Sequence, residues 1–215
     1  EGDIVGVPYL SNTDSLAYNK TKIGEDINTW EALFDNQFKG YSSIQNSLGP
    51  TFTITAIYLK QSNKQDIKNP SNMTKDEIKG VCEFLIKMKK RGQFKKIWES
   101  FKEGVELLAN GEVLVSSCWE PMAISAQTKG TEIKYGVMKE GHLSWNNIWM
   151  FTKGGQKRGQ QKNFNKLMDL YLSPWFGIRL LDKYGFTPQM TGMKKYINNL
   201  ENLDVVKKQV LTERL

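Results

Sequence analysis

The feature that most constrains this chain is the regular exchange of short strand-like runs with longer stretches of helical periodicity. The clearest helix is Lys75 to Lys90, where Ile78, Val81, Leu85 and Met88 recur at helical spacing and Thr74 followed by Glu77 forms a capping box. Further helices are predicted at Trp30 to Phe34, Thr51 to Gln61, Phe101 to Ala109, Pro121 to Lys129, Gln160 to Leu172 and Pro174 to Tyr184. Pro121 and Pro174 stand where a first helical turn tolerates proline, because the missing N–H has no partner there anyway. Between the helices, strands are predicted at Ile4 to Val7, Ser15 to Tyr18, Tyr41 to Ile44, Lys95 to Trp98, Val113 to Ser117, Ile133 to Val137 and Trp145 to Thr152. The alternation implies an α/β fold, with Gln61 to Asn72 as the main polar loop and no internal repeat.

Composition excludes several classes. With 39% hydrophobic and 25% charged residues the chain can bury a core. No run approaches the roughly 18 apolar residues that a membrane-spanning helix needs. The opening Glu1-Gly2-Asp3-Ile4 has neither a basic nor an apolar leader region, so no signal segment is expected in this chain. His142 is the only histidine, and Cys82 and Cys118 are the only cysteines. Neither zinc-ligand spacing nor a Cys-His-acid nucleophile is supported, and two separate buried thiols are favoured over a disulfide. Gly154-Gly155 lacks the length and the Lys-Ser/Thr ending of a phosphate loop, and no Gly-x-Ser-x-Gly elbow occurs. The chain is therefore not expected to be an enzyme, and no cofactor is expected.

Net charge is +7, with a dense basic run from Lys87 through Lys102. Interleaved with Phe94, Trp98 and Phe101, that run permits an alternative reading as a basic interaction or nucleic-acid-binding module. Glu99, Glu103 and Glu106 interrupt it, which favours a solvated helix end and loop, with no nucleic acid expected as a partner.

The stretch Lys139-Glu140-Gly141-His142-Leu143-Ser144-Trp145-Asn146-Asn147 places an aromatic and an amide on one face of a strand after a glycine-bearing turn. It resembles a segment of the extracellular solute-binding proteins of polyamine (spermidine/putrescine) ABC importers, where a Lys-Glu-Gly turn precedes a Trp and, two residues on, an Asp. Asn147 stands at that Asp position, offering hydrogen bonds without charge. Other pieces are similar in the same order: Val5 to Tyr9 with Ser15 to Asn19, Thr29 to Phe34 with Phe38-Lys39-Gly40, Asn110 to Val113 with Cys118-Trp119-Glu120, and Leu172-Ser173-Pro174 with Tyr184 to Pro188.

The resemblance implies a type II periplasmic-binding-protein-like fold and a solute-binding component of an ABC transporter, periplasmic or extracytoplasmic. Its partners would be a small-molecule solute and the membrane permease of the importer. The resemblance also implies an N-terminally truncated chain, because family members carry roughly a hundred residues before the strand at 4 to 9. One complete lobe is then expected at 12 to 143, with 1 to 11 and 144 to 215 forming hinge strands, part of the second lobe and C-terminal helices. The run Ile148-Trp149-Met150-Phe151 reads as a strand buried on both faces in an intact lobe. Without its neighbours it would expose an edge and an apolar patch, so association of copies through the incomplete lobe is expected.

Trp119 and Trp145 are expected as ligand walls, with Ser100 and Phe101 as weaker candidates for the same wall; Trp30, Trp149 and Trp175 are expected in the core. The corner Tyr41 to Pro50 carries Asn46 and Ser47 where polyamine binders supply acids, so it is neutral; these residues either meet ligand or simply cap the helix after Pro50. Asp14 either faces the cleft or caps a turn, and Glu120 either faces the cleft or sits at a helix start where acids are favoured. Two carboxylates and two indoles suit a small amine or zwitterion rather than a long polyamine.

Overall fold

The computed structural model describes residues 6–184 and 186–188. The chain divides into two compact units, Thr13–Leu143 and the remainder, 1–12 with 144–215.

In the first unit the strands run in the order β3-β2-β4-β1-β5. These are β1 (Val7–Asn19), β2 (Ser42–Gln45), β3 (Phe94–Trp98), β4 (Val115–Trp119) and β5 (Ile133–Tyr135). β2 is parallel to both β3 and β4, whereas β1 is antiparallel to β4 and to β5. Parallel neighbours need crossovers, and helices supply them: α2 (Leu48–Gln61) and α3 (Lys75–Lys90) lead from β2 to β3, and α4 (Phe101–Ala109) leads from β3 to β4. A short α1 (Lys20–Ile23) follows β1, and α5 (Glu120–Gln127) follows β4.

Strand alternation divides the core. Leu16 and Tyr18 of β1 join Trp30, Leu33, Ile44, Ile54 and Val81 on one face of the sheet. Ala17 joins Trp98, Val105, Leu108, Cys118 and Met122 on the other. Both faces are thus covered, which explains why β4 reads as a run of buried residues. The small strand residues are tied: Ser43 and Ser116 share a hydrogen bond of 2.7 Å, and Ser42 donates to the Gln93 carbonyl at 3.0 Å. Gln93, fully buried, donates to the carbonyls of Leu33 and Asp35 at 3.0 and 2.9 Å, fastening the 3-10 segments Trp30–Leu33 and Asn36–Phe38 to the sheet.

The Lys139-Glu140-Gly141 turn meets the Trp30 segment. The Glu140 carboxylate accepts from the Thr29 hydroxyl and the Trp30 N–H, and the Trp30 indole donates to the Gly141 carbonyl at 2.9 Å. Gly141 has φ +99, a conformation that glycine takes without Cβ strain. Two pieces of sequence 110 residues apart therefore form one structural lock.

Several expectations are corrected. The strands expected at Ile4 to Val7 and Ser15 to Tyr18 form one strand, because pairing carries β1 unbroken through the polar Ser11-Asn12-Thr13-Asp14; residues 4 and 5 lie outside the described residues. Asp14 therefore lies within a strand. The helix placed after Pro50 begins at Leu48, with Pro50 inside its first turn, where its absent N–H costs nothing. The helix predicted at Trp30 to Phe34 is a 3-10 turn ending at Leu33. The loop after α2 is not wholly polar, since Ile67 is buried in the core.

In the second unit, β6 (Leu143–Trp149) and β7 (Thr187–Pro188) pair with β1, with Leu10 opposite Pro188 and Ser11 opposite Thr187. Helices α6 (Lys153–Lys157), α7 (Gln161–Tyr171) and α8 (Pro174–Tyr184) lie between them in sequence. Tyr9, Trp149, Tyr171 and Phe176 form a chain of ring contacts with centroids 4.4 to 5.8 Å apart. As expected for this strand without its neighbours, the run that would be buried on both faces in an intact lobe is largely exposed, with Ile148 at 44% and Met150 at 58%. Trp149 is half-buried rather than core, and Trp175, also expected in the core, is 59% exposed. An apolar run becomes buried only where neighbouring elements cover both of its faces.

Candidate functional site

Because β2, β3 and β4 are parallel, their carboxyl ends lie at one edge of the first unit's sheet, the place where open α/β sheets present ligand-binding loops. That edge collects Gln45-Asn46-Ser47, Trp98-Glu99-Ser100-Phe101 and Trp119-Glu120. The antiparallel β1 adds Asp14, which stands opposite Trp119 in the ladder. Five sequence-derived candidates, Asp14, Asn46, Ser47, Trp119 and Glu120, thus share one end of one sheet.

The Trp119 side chain is half-buried and held from two sides. Trp98 meets it edge-on at 5.8 Å between centroids, and Phe101 lies nearly parallel to it at 6.4 Å with an interplanar angle of 16°. Trp98 itself is 1% exposed and donates its indole N–H to the Ser117 carbonyl at 3.2 Å. An aromatic surface is therefore presented on a rigid base. Phe101, a weaker candidate from sequence, belongs to this surface, and Trp98 is its support. Trp98 went unrecognised as such because it ends a run of lysines that reads as a charged segment.

Asp14 and Glu120 are 3% and 1% exposed. Their combined field is registered at Cys118: burial above all, then the Asp14 charge, and further down the Glu120 charge push its thiol well above the ordinary value. Glu120 occupies the first residue of α5, where a carboxylate also complements the helix dipole.

The Asn46 corner is differently employed. Its backbone N–H donates to the Trp98 carbonyl at 2.7 Å, and its side-chain amide donates to the Glu99 carboxylate at 3.1 Å. Ser47 is the N-cap residue of α2 but makes no side-chain cap bond; Thr51 donates its hydroxyl to the Gln45 carbonyl at 2.6 Å instead. Next along the edge, Glu103 is held below the usual carboxylate range by the Glu99 N–H and then by Lys96, whose ammonium lies 3.1 Å away. Lys96 and Lys102 of the basic run are both ion-paired with glutamates of α4, consistent with a solvated face.

Trp145 and Asn147 belong to the second unit. Two residues apart on β6, they share a face, Trp145 half-buried with its ring 6.4 Å from Phe186 and Asn147 exposed. Cys82 and Cys118 are both free thiols. Among the described residues no group of three or more His, Cys, Asp or Glu side chains could hold a metal, and no helix is long and apolar enough to cross a membrane.

Comparison with known proteins fits this architecture. The sequence pattern of bacterial extracellular solute-binding proteins matches residues 1–201. No curated protein sequence gives a significant match. Among solved structures, the spermidine/putrescine ABC transporter substrate-binding protein PotD from Streptococcus pneumoniae superposes with a TM-score of 0.72 at 15% identity, covering 95% of this chain and 57% of that one. An ABC transporter substrate-binding protein from Bradyrhizobium japonicum gives 0.66 at 16% identity, with 94% and 58% covered. An ABC transporter from Clostridium perfringens gives 0.60 at 16% identity, with 95% and 62% covered. The chain thus spans somewhat over half the length of these structures and shares their type II periplasmic-binding-protein fold. Since the matched pattern runs through nearly the whole sequence, the chain belongs to the family of bacterial extracellular solute-binding proteins.

Proposed function

We propose that this chain is the solute-binding component of an ABC transporter, working outside the cytoplasmic membrane with a membrane permease as its partner, and that it retains a small amine or zwitterion. The observation that carries the reading is the junction of two buried carboxylates, Asp14 and Glu120, with the half-buried face of Trp119 at the carboxyl end of the sheet. Carboxylates favour a cationic head group. An indole face adds roughly 0.5 to 2 kcal/mol of cation–π attraction, more as water is excluded. The Asn46 and Ser47 corner contributes neutral hydrogen bonds, which suits a ligand whose other end is polar or anionic rather than a second ammonium. Trp145 and Asn147 are proposed as further ligand contacts from the resemblance in sequence.

Calorimetric titration with putrescine, 4-aminobutyrate and glutarate, ligands of similar length with two, one and no ammonium groups, tests the charge preference. Binding is expected for an ammonium-bearing ligand and not for glutarate. Tightest binding of the dicarboxylate overturns the reading. Stoichiometric retention without turnover is expected, as befits a carrier rather than an enzyme. The exposed Ile148, Met150 and Trp175 support a proposed association of copies, which light scattering would register as a concentration-dependent mass.

A further inference from the structure

A groove opens on the first unit beside the strand-end site, where the edge strand β3 leaves the space between α2 and α3 uncovered. Its cavity volume is about 240 Å³. Cys82, Leu85, Ile86 and Lys89 of α3, at helical spacing, form one wall, and Leu48 and Phe52 of α2 face them. Ile44, Phe94 and Ile97 floor it from β2 and β3.

Three features single this groove out. Its lining is apolar apart from Gln45, Asn46, Ser47 and Thr51 near the start of α2 and Lys89 at the rim. Lys89 is the one charged residue of the lining, and among the described residues it forms no ion pair. Leu48 and Ile86, 78% and 52% exposed, stand on the two helices that border it. An apolar trough with a single ammonium, that of Lys89, on its lining is complementary to a molecule with an apolar tail and a single negative end.

We propose that this groove is a binding site for a small amphipathic monoanion, a carboxylate on an apolar body of about eight heavy atoms, taking about 30 Å³ for each water-sized group. The tail lies among Phe52, Leu85, Ile86 and Ile97, and the carboxylate meets Lys89. The groove shares Asn46 and Ser47 with the strand-end corner but not Asp14, Trp119 or Glu120, so its test does not depend on the amine reading.

Cys82 supplies the readout, because its thiol lines the groove and is half-buried, whereas Cys118 is fully buried with its thiol pushed up. The rate of Cys82 alkylation by iodoacetamide, located by peptide mass analysis, is measured with octanoate, with octylammonium and in Lys89→Glu. Octanoate is expected to protect Cys82 with half-maximal effect at about 1 mM, and Lys89→Glu, on an exposed helix face, to weaken this about tenfold. Octylammonium is expected to protect far less. Equal protection by both amphiphiles, or an unchanged octanoate effect in a Lys89→Glu protein with native circular dichroism, overturns the proposal. So does absence of protection at tens of millimolar octanoate, a level well above the about 1 mM expected. Protection that rises with protein concentration alone would assign the groove to a second copy of the chain and equally overturn it.

Discussion

Trp98 links the stability of the sheet to the shape of the candidate site, so Trp98→Phe tests both. The substitution removes the indole N–H that donates to the Ser117 carbonyl at 3.2 Å. That carbonyl keeps a second donor, the Ser116 hydroxyl at 3.0 Å, so it is not orphaned and the loss falls near the net value of one hydrogen bond, about 1 kcal/mol. The ring also shrinks by three heavy atoms in a site only 1% exposed. At about 0.8 kcal/mol per buried methylene, a loss equivalent to two methylenes adds about 1.6 kcal/mol. The total is about 2.5 kcal/mol, which for a urea dependence near 2 kcal/mol per molar moves the unfolding midpoint down by about 1.2 M. Far-UV circular dichroism in urea measures this directly. A loss below about 0.5 kcal/mol would refute the packing assigned to Trp98, since either contribution alone exceeds it.

Three further outcomes are expected. Thr74→Ala removes the hydroxyl that caps the Glu77 N–H at 3.3 Å and should cost about 1 kcal/mol in the same assay. Tyr18 is pushed up to about 12 by burial and then by its hydrogen bond to Asp26, so it binds its proton more tightly folded than unfolded. Its contribution is complete below about pH 10 and disappears as pH rises towards 12; ultraviolet titration should show a late tyrosine ionisation that Asp26→Asn brings down. In the folded protein Cys82 should react with a thiol reagent and Cys118 should not until urea is added.

Much of the fold was legible because local chemistry marks it. Helices α3 and α4 begin where Thr74 and Ser100 accept the backbone N–H of Glu77 and Glu103, and both helices span the residues their sequence periodicity predicts. β1 was not legible as one strand, since Ser11-Asn12-Thr13-Asp14 looks like a loop and only pairing with β4 and β7 makes it extended. In β6 the apolar run reports what the strand can bury, and the expected lack of covering neighbours accounts for the exposed Ile148; only Trp149, expected in the core and half-buried, differs. At the site, Trp119 and Glu120 were recognisable by resemblance and by their place after a strand. Asp14 became a neighbour of Trp119 only through ladder register, and Trp98 only through a ring contact that no sequence spacing encodes, whereas Phe101 was already a candidate for the same wall.

Asp14, Trp119 and Glu120 are proposed to create a site for an organic cation or zwitterion at the carboxyl end of the sheet. Native mass spectrometry of the purified chain alongside Trp119→Ala and Glu120→Gln tests it most directly. A releasable small adduct carrying an ammonium group is expected on the unmodified chain, with its loss or sharp reduction in both variants. An adduct retained equally by all three proteins, or one that proves to be purely anionic, would contradict it.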